Sequence, residues 1–285
     1  MKFGFVRHLA LGVLAALSTA SLTSVHAVSI FSSASYSATA SFTDHNPSTT
    51  MTLAWDGVNY YTASGGGYGS PYAKYDASGN FVASVSPNPG IDFRSVFTDS
   101  SNNLLARGFS SNTIYRQTSF GQFTAQTQLL GGTLDAQSAV VLNGAGTEYL
   151  AELNGTVSRW NLSGTYLGSV ALSGYGSVGY PANRGLAVAG DNLLTYLDGT
   201  VSAWDLQGHF LGSTFLLGAG TGFDSEFSYS YANGLFWVVD QAGGTWRGYD
   251  LALGGASGNA VPEPASLLLV LCGLLGFFAV SRRTA

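Results

Sequence analysis

Two pairs of acidic residues are the best candidates for chemistry in this chain. Glu148 and Glu152 lie four residues apart, and Asp224 and Glu226 lie in a glycine- and serine-rich connection, residues 218–230. Two carboxyl groups on either side of a sugar bond perform glycoside hydrolysis. Solvated side chains explain both pairs more simply, so we predict no catalytic residue and no enzyme.

Metal and phosphate chemistry have even less support. Outside the first 27 residues the only histidines are His45, in a loop composition beside Asp44, and His209, in a repeated turn. They form no pair at metal-ligand spacing, and the only cysteine, Cys272, lies near the C-terminus. The glycine-rich segments 67–70 and 218–222 are followed by no lysine or helix that would bind phosphate. We therefore predict no metal and no cofactor.

The charge of the central region limits its partners. Residues 28–260 hold fifteen of the sixteen acidic residues and only seven of the eleven basic ones. An acidic surface disfavours nucleic acid and anionic lipid as partners. Charged residues make up only 9% of the chain, and Gly, Ser, Thr, Asn and Tyr supply the polar surface instead. This composition is common in exported β-rich proteins and is compatible with carbohydrate contact.

A repeat of about 43 residues indicates the fold. An aromatic residue, Asp or Asn, a glycine and a second aromatic recur, as in Tyr75 to Phe81, Trp160 to Tyr166 and Trp204 to Phe210. The glycines of four copies are 42, 43 and 44 residues apart: Gly79, Gly121, Gly164 and Gly208. This period matches a four-stranded propeller blade. The sequence thus predicts an all-β domain, residues 28–253, that resembles a β-propeller.

We predict five blades, with six as the alternative if residues 28–50 form most of another. The last repeat lacks its fourth strand, because residues 254–260 are a Gly/Ser linker. Residues 34–43 alternate small or polar with aromatic side chains and are predicted to supply that strand, which would close the ring and remove an aggregation-prone edge.

The aromatic residues divide into two predicted groups. Those at repeated positions should fill the space between blades: Trp160, Trp204, Trp246 and Tyr249. Tyrosines beside glycine and serine are predicted to be more exposed, where they would stack on sugars: Tyr60, Tyr61, Tyr68, Tyr72, Tyr175, Tyr180, Tyr229 and Tyr231.

The N-terminal 27 residues have the composition of a secretory signal peptide. Lys2 and Arg7 precede an apolar segment, residues 9–22, and small residues precede a predicted cleavage after Ala27. We therefore expect the body to be exported.

The C-terminal end, residues 261–285, has three parts in order. A short motif (Val261, Pro262, Glu263, Pro264) precedes the apolar residues 265–280 and then Arg282 and Arg283. The prolines keep the motif extended, the apolar segment would span roughly 24 Å as a transmembrane helix, and the arginines favour the cytoplasmic side. The tail resembles the PEP-CTERM sorting signal of Gram-negative bacteria. An ordinary membrane anchor or a buried helix is the alternative.

The resemblance implies a route rather than an activity. It implies recognition by an exosortase-like membrane protease, an intermediate held in the inner membrane by the C-terminal helix, and a final place at the cell surface or in the extracellular matrix. Such tails are also associated with ice-binding proteins, but this body lacks a short-period Thr-x-Thr ladder. We predict a non-catalytic surface or matrix protein that contacts exopolysaccharide or the cell envelope. A secreted carbohydrate-active enzyme, a glycoside hydrolase, is the alternative.

Substituting Glu263→Ala should block removal of the tail without affecting membrane insertion, because both prolines and the whole apolar segment remain. Deleting Arg282 and Arg283 should instead impair orientation in the membrane. Mass spectrometry of the C-terminus of matrix protein from the native host measures the outcome. A C-terminus intact to Ala285 on that protein would contradict processing.

Overall fold

A computed structural model describes residues 29–253, which form five sheets arranged as the blades of a β-propeller. Each sheet has four antiparallel strands, and one of them carries a fifth, parallel strand at its edge. The five-blade prediction is confirmed. The six-blade alternative is wrong, because the N-terminal segment joins two existing sheets instead of forming its own. Within residues 29–253, no helix has the length and apolar character needed to cross a bilayer. Several predicted features lie outside the described residues: the signal peptide with Ala27, the linker, the helix 265–280, and the sorting residues Val261, Pro262, Glu263, Pro264, Arg282 and Arg283.

The strands follow one another along the chain, blade by blade. Two short strands come first, β1 (Ser35–Ser37) and β2 (Ala40–Thr43). Blade 1 contains β3 (Thr50–Trp55), β4 (Tyr60–Ser64), β5 (Tyr72–Tyr75) and β6 (Phe81–Val85); blade 2 contains β7 (Phe93–Thr98), β8 (Leu104–Gly108), β9 (Thr113–Ser119) and β10 (Gln122–Gln128). Blade 3 contains β11 (Val141–Leu142), β12 (Glu148–Leu153), β13 (Thr156–Asn161) and β14 (Tyr166–Ala171). Blade 4 contains β15 (Ala187–Ala189), β16 (Asn192–Leu197), β17 (Thr200–Trp204) and β18 (Phe210–Leu217); blade 5 contains β19 (Tyr229–Ala232), β20 (Leu235–Asp240) and β21 (Thr245–Tyr249). Short 3-10 helices, Ala182–Arg184 and Ser225–Phe227, precede blades 4 and 5.

The first strands of the five blades surround the axis, each in contact with the next. Neighbouring first strands belong to different sheets, so their backbone N–H groups need partners other than a sheet ladder. Side-chain hydroxyls supply three of them: Thr52 accepts from Val96 at 2.7 Å, Ser95 from Val140 at 3.1 Å, and Ser230 from Leu53 at 2.9 Å. Polar side chains therefore help to fix the spacing of blades 5, 1, 2 and 3.

The repeated turns join the third and fourth strands of four blades. Their glycines have positive φ, between 75° and 86°, which favours glycine over other residues. In three of these turns, the side-chain oxygen of Asp76, Asn161 or Asp205 accepts from the backbone N–H groups two and four residues later. These residues therefore shape turns, as predicted from their recurrence.

Aromatic residues at the repeated positions fill the space between blades. Trp160, Trp204, Trp246 and Tyr249 are all buried, with at most 2% of each side chain exposed. This confirms their predicted role in the core.

Two segments near the N-terminus complete the ring. Strand β2 is the fourth strand of blade 5 and pairs antiparallel with β21, from Ala40 opposite Gly248 to Thr43 opposite Thr245. Strand β1 instead pairs in parallel with β18 and covers the edge of blade 4. Closure by residues 34–43 is confirmed, although only residues 40–43 complete the last blade.

Asp44, directly after β2, joins the first and last blades. Its carboxylate is buried and accepts four hydrogen bonds from donors far apart in the chain. The donors are Trp246 Nε1 at 2.8 Å, the Tyr75 hydroxyl at 2.9 Å, the Thr50 hydroxyl at 2.8 Å and the Asn46 backbone N–H at 2.8 Å. The carboxylate therefore links blade 5 to blade 1 at the point where the ring closes.

Substituting Asp44→Ala should lower the free energy of unfolding by about 3–5 kcal/mol, because a buried donor left without an acceptor costs about 1–3 kcal/mol. Urea denaturation of the purified protein measures the loss. Asp76→Ala is the control, since it removes an exposed turn carboxylate and should have a much smaller effect. Equal losses for the two variants would show that Asp44 does not hold the ring closed.

Candidate functional site

One end of the propeller contains a cavity of about 540 Å³, which we call the mouth pocket. It lies where the connections enter the first strands and the hairpins leave the second strands. Its lining includes the charged and amide side chains of Arg94, Gln137, Asp224 and Gln241, together with the aromatic residues Tyr180 and Phe227. A second cavity of about 220 Å³ follows the axis and is lined mainly by the first strands.

Five residues that line the mouth pocket recur at a nearly constant spacing along the chain. Met51, Arg94, Gln137, Tyr180 and Asp224 are spaced by 43, 43, 43 and 44 residues. Met51 and Arg94 are the second residues of first strands, whereas Gln137, Tyr180 and Asp224 lie in the connections that lead into first strands. The propeller therefore brings all five to the same end. Sequence analysis named Asp224 and Tyr180 but missed the other three; aligning the repeats position by position would have found them.

Arg94 is fixed at the wall of the pocket by its neighbours. Its side chain is 7% exposed, and Nη1 donates to Asp92 Oδ1 and to the Phe93 carbonyl, both at 2.6 Å. Nε donates to Gln137 Oε1, and the guanidinium lies 4.8 Å from the centre of the Phe109 ring. These contacts hold the guanidinium in one orientation before any ligand arrives.

The other polar residues of the pocket differ in how firmly they are held. Gln241 Nε2 donates to the Thr50 carbonyl at 2.6 Å and to the Ser228 hydroxyl at 3.1 Å. Asp224 is exposed. The pocket therefore combines one fixed cation, two fixed amides and one accessible carboxylate.

Two long connections meet beside the pocket through aromatic contacts. Residues 173–186 enter blade 4 and residues 218–228 enter blade 5. Tyr180 of the first connection lies 5.3 Å from Phe223 and 6.3 Å from Phe227 of the second, between ring centroids. The guanidinium of Arg184 stacks 4.9 Å from the Tyr180 ring. An aromatic surface thus stands next to the polar groups of the pocket.

Glu152 lies buried at the same end, between blades 3 and 4. Its Oε1 accepts from the Gly155 N–H at 2.6 Å, whereas Oε2 has no hydrogen-bond partner among the described residues. Burial raises the pKa of Glu152 to about 7, against the partial effects of the Gly155 N–H, Tyr175 and the charge of Arg184. The carboxyl group therefore keeps its proton to a higher pH than an ordinary glutamate does.

The same position in blades 2 and 4 has a clear structural role. Arg107, the next-to-last residue of β8, donates to carbonyls of the connection that enters blade 3, among them Asp135 at 2.9 Å and Ser138 at 2.8 Å. Tyr196, the next-to-last residue of β16, donates to Gly220 in the connection that enters blade 5. Glu152, the next-to-last residue of β12, does not anchor a connection in the way that Arg107 and Tyr196 do, since its Oε1 accepts from Gly155 of its own blade.

Neither of the two acid pairs considered in the sequence analysis forms a carboxylate pair in the mouth pocket. Glu148 pairs with Arg159 at 2.8 Å and lies about 13 Å along β12 from Glu152, at roughly 3.3 Å per residue. Asp224 lines the mouth pocket, but Glu226 is not among its lining residues, and its pKa is raised by partial burial and by Asp198. A carboxylate pair within the mouth pocket is therefore absent from the described residues.

The histidines follow the sequence analysis, but several tyrosines do not. His45 is an exposed loop residue stacked on Phe81, and His209 is exposed and bonded to Asp205 at 2.9 Å. In the described part of the chain, no three His, Cys, Asp or Glu side chains are grouped as metal ligands. The prediction of exposed tyrosines holds for Tyr68 and Tyr180 but is wrong for four that lie in strands buried on both faces: Tyr60, Tyr61, Tyr72 and Tyr229.

The fold is similar to that of solved propellers. Glutaminyl cyclase from Myxococcus xanthus aligns with a TM-score of 0.54 and 10% identity, over 76% of this chain and 97% of the other. A streptogramin B lyase aligns with a TM-score of 0.43 and 11% identity, over 70% of this chain and 79% of the other. Virginiamycin B lyase from Staphylococcus aureus aligns with a TM-score of 0.41 and 13% identity, over 69% of this chain and 64% of the other. At these identities the likeness concerns the fold alone. Neither a protein-family model nor a curated protein matches the chain in sequence.

The prediction that the body is not an enzyme is wrong. It rested on the scarcity of catalytic motifs, yet the fold of this chain is shared with an enzyme, the glutaminyl cyclase. A propeller assembles its mouth from residues that are far apart in the chain, so missing local motifs do not exclude chemistry.

The ionisation of Glu152 should make stability depend on pH. The pKa of this carboxyl group is about 7 in the folded protein and 4.5 in the unfolded chain. Its stabilising effect is therefore full below pH 4.5 and is lost as the pH rises through 7. The change amounts to about 3 kcal/mol at most. Urea denaturation at pH 5 and pH 8 should show a smaller decline for Glu152→Gln than for the native chain.

Glu148→Gln is the matched control, because that glutamate lies in the same strand, is only partly buried and is paired with Arg159. It should keep the decline of the native chain. An unchanged decline in Glu152→Gln would show that this carboxyl group ionises normally in the folded protein.

Proposed function

We propose that this protein is an exported propeller that binds a saccharide in its mouth pocket. In this proposal, the PEP-CTERM-like tail directs the chain through the inner membrane to the cell surface or matrix, where exopolysaccharide supplies the ligand. An exosortase-like protease is the partner that recognises the tail.

The observation that carries the proposal is the composition of the mouth pocket. Binding sites for small molecules combine an apolar wall with a few fixed polar groups. Here Tyr180 and Phe227 offer ring faces for the C–H surface of a sugar, while Gln137 and Gln241 offer amides for its hydroxyls. The volume of about 540 Å³ suits a ligand of one or two sugar units.

Hydrolysis of the bound saccharide is a second candidate, favoured by two carboxyl groups at one end of the propeller. Asp224 is exposed in the pocket, and burial raises the pKa of Glu152 to about 7. Glycosidases use one carboxylic acid and one carboxylate. Glu152 is buried, so this activity would require the connection 173–186 to move.

A glycan array probed with the full chain in detergent should give saccharide binding, and a hydrolase substrate panel run alongside tests the second candidate. Asp224→Ala should weaken binding of the best glycan by about tenfold or more, because the pocket loses its accessible acceptor. Isothermal titration calorimetry measures the change. His209→Ala is the control, since this side chain lies in a turn at the opposite end. Equal effects of the two variants, or no glycan bound, would refute the mouth pocket as a saccharide site.

A further inference from the structure

Hydrogen-bond donors collect on one side of the mouth pocket. A guanidinium has five N–H groups. Arg94 uses three on Gln137, Asp92 and the Phe93 carbonyl, and its Nη2 makes only a long contact of 3.5 Å with Asp92 Oδ2. At least one Nη2 N–H thus remains available in a residue that lines the pocket.

The neighbouring amide adds donors of its own. Gln137 must turn Oε1 towards Arg94, because a guanidinium donates and cannot accept. Its Nε2 group, which has no partner among the described residues, is then left as a donor beside Arg94. Two adjacent donor groups, one of them cationic, form a fork that matches a carboxylate.

Acceptors collect elsewhere in the pocket. Gln241 Nε2 donates to the Thr50 carbonyl and the Ser228 hydroxyl, so Gln241 Oε1 remains as an acceptor. Asp224 contributes a second acceptor. Hydroxyl groups of a sugar ring can donate to both.

We propose that the mouth pocket selects acidic sugars, with the carboxylate of a uronic acid bound between Arg94 and Gln137 and its ring hydroxyls donating to Gln241 and Asp224. This inference rests on the proposed saccharide function and specifies its ligand class. With a neutral sugar, the remaining Nη2 N–H of Arg94 would have no anionic acceptor at short distance, because Asp92, which pairs with Nη1, approaches Nη2 only to 3.5 Å. A cationic sugar would place its charge beside the same guanidinium.

Three related ligands test the proposal: glucuronate, its methyl ester and glucose, titrated into the full chain in detergent. Glucuronate should bind at least tenfold more tightly than its ester, because only the free acid carries the anion.

Gln137→Glu keeps the acceptor for Arg94 but places a negative charge where the carboxylate would bind. This variant should therefore lose the tenfold preference while still binding the ester.

Gln207→Glu is the matched control, because it adds the same charge to an exposed turn at the opposite end. It should keep the preference for glucuronate. Equal binding of glucuronate and its ester to the native chain would overturn the acidic ligand class and leave the saccharide function standing. A preference that survives Gln137→Glu would also overturn the proposed position of the carboxylate. Failure of all three sugars, with no glycan bound on the array, would refute both proposals.

Discussion

The whole architecture depends on closing a ring with a strand from the other end of the chain. Blade 5 has only three strands of its own, and β2 provides the fourth by pairing with β21. Asp44 follows immediately and accepts from Trp246 on one side of the junction and from Tyr75 on the other. A buried carboxylate is stable only when its hydrogen-bonding capacity is satisfied, and the donors here belong to both blades. Ring closure and the burial of this charge therefore stabilise each other.

The closed ring turns a sequence period into a binding site. A residue at one position of each repeat reaches the same end of the propeller, so side chains about 43 residues apart become neighbours. The spacing is nearly constant while the side chain varies from Met51 to Arg94, Tyr180 and Asp224. The scaffold is thus nearly five-fold symmetric, whereas the pocket is asymmetric. That asymmetry separates donors from acceptors and allows one orientation of a ligand to be preferred.

The sequence predicted the fold better than the site, for physical reasons. Turn glycines such as Gly79 and Gly208 need positive φ and leave a periodic signal. The hydrogen bonds of Asp44 join segments up to 202 residues apart, so its neighbours in the sequence suggested only a loop. Tyr72 and Tyr229 stand next to small or polar residues, but their strands are packed between two blades and bury both faces. Arg94 and Gln137 belong to no local motif, because their partnership exists only once the blades are assembled.

The direction of the last strand, β21, places the C-terminal end of the described body at the end of the propeller opposite the mouth pocket. Strand β21 runs parallel to the first strands, from the end with the mouth pocket to the opposite end, and the described chain finishes there at Leu253. Residues near both ends of the body pack together, since Phe31 and Leu251 share one hydrophobic cluster. Tethering the body through its C-terminal side, to a resin or to a bilayer, would therefore leave the binding end pointing outwards. Large polymers could then approach it without passing the point of attachment.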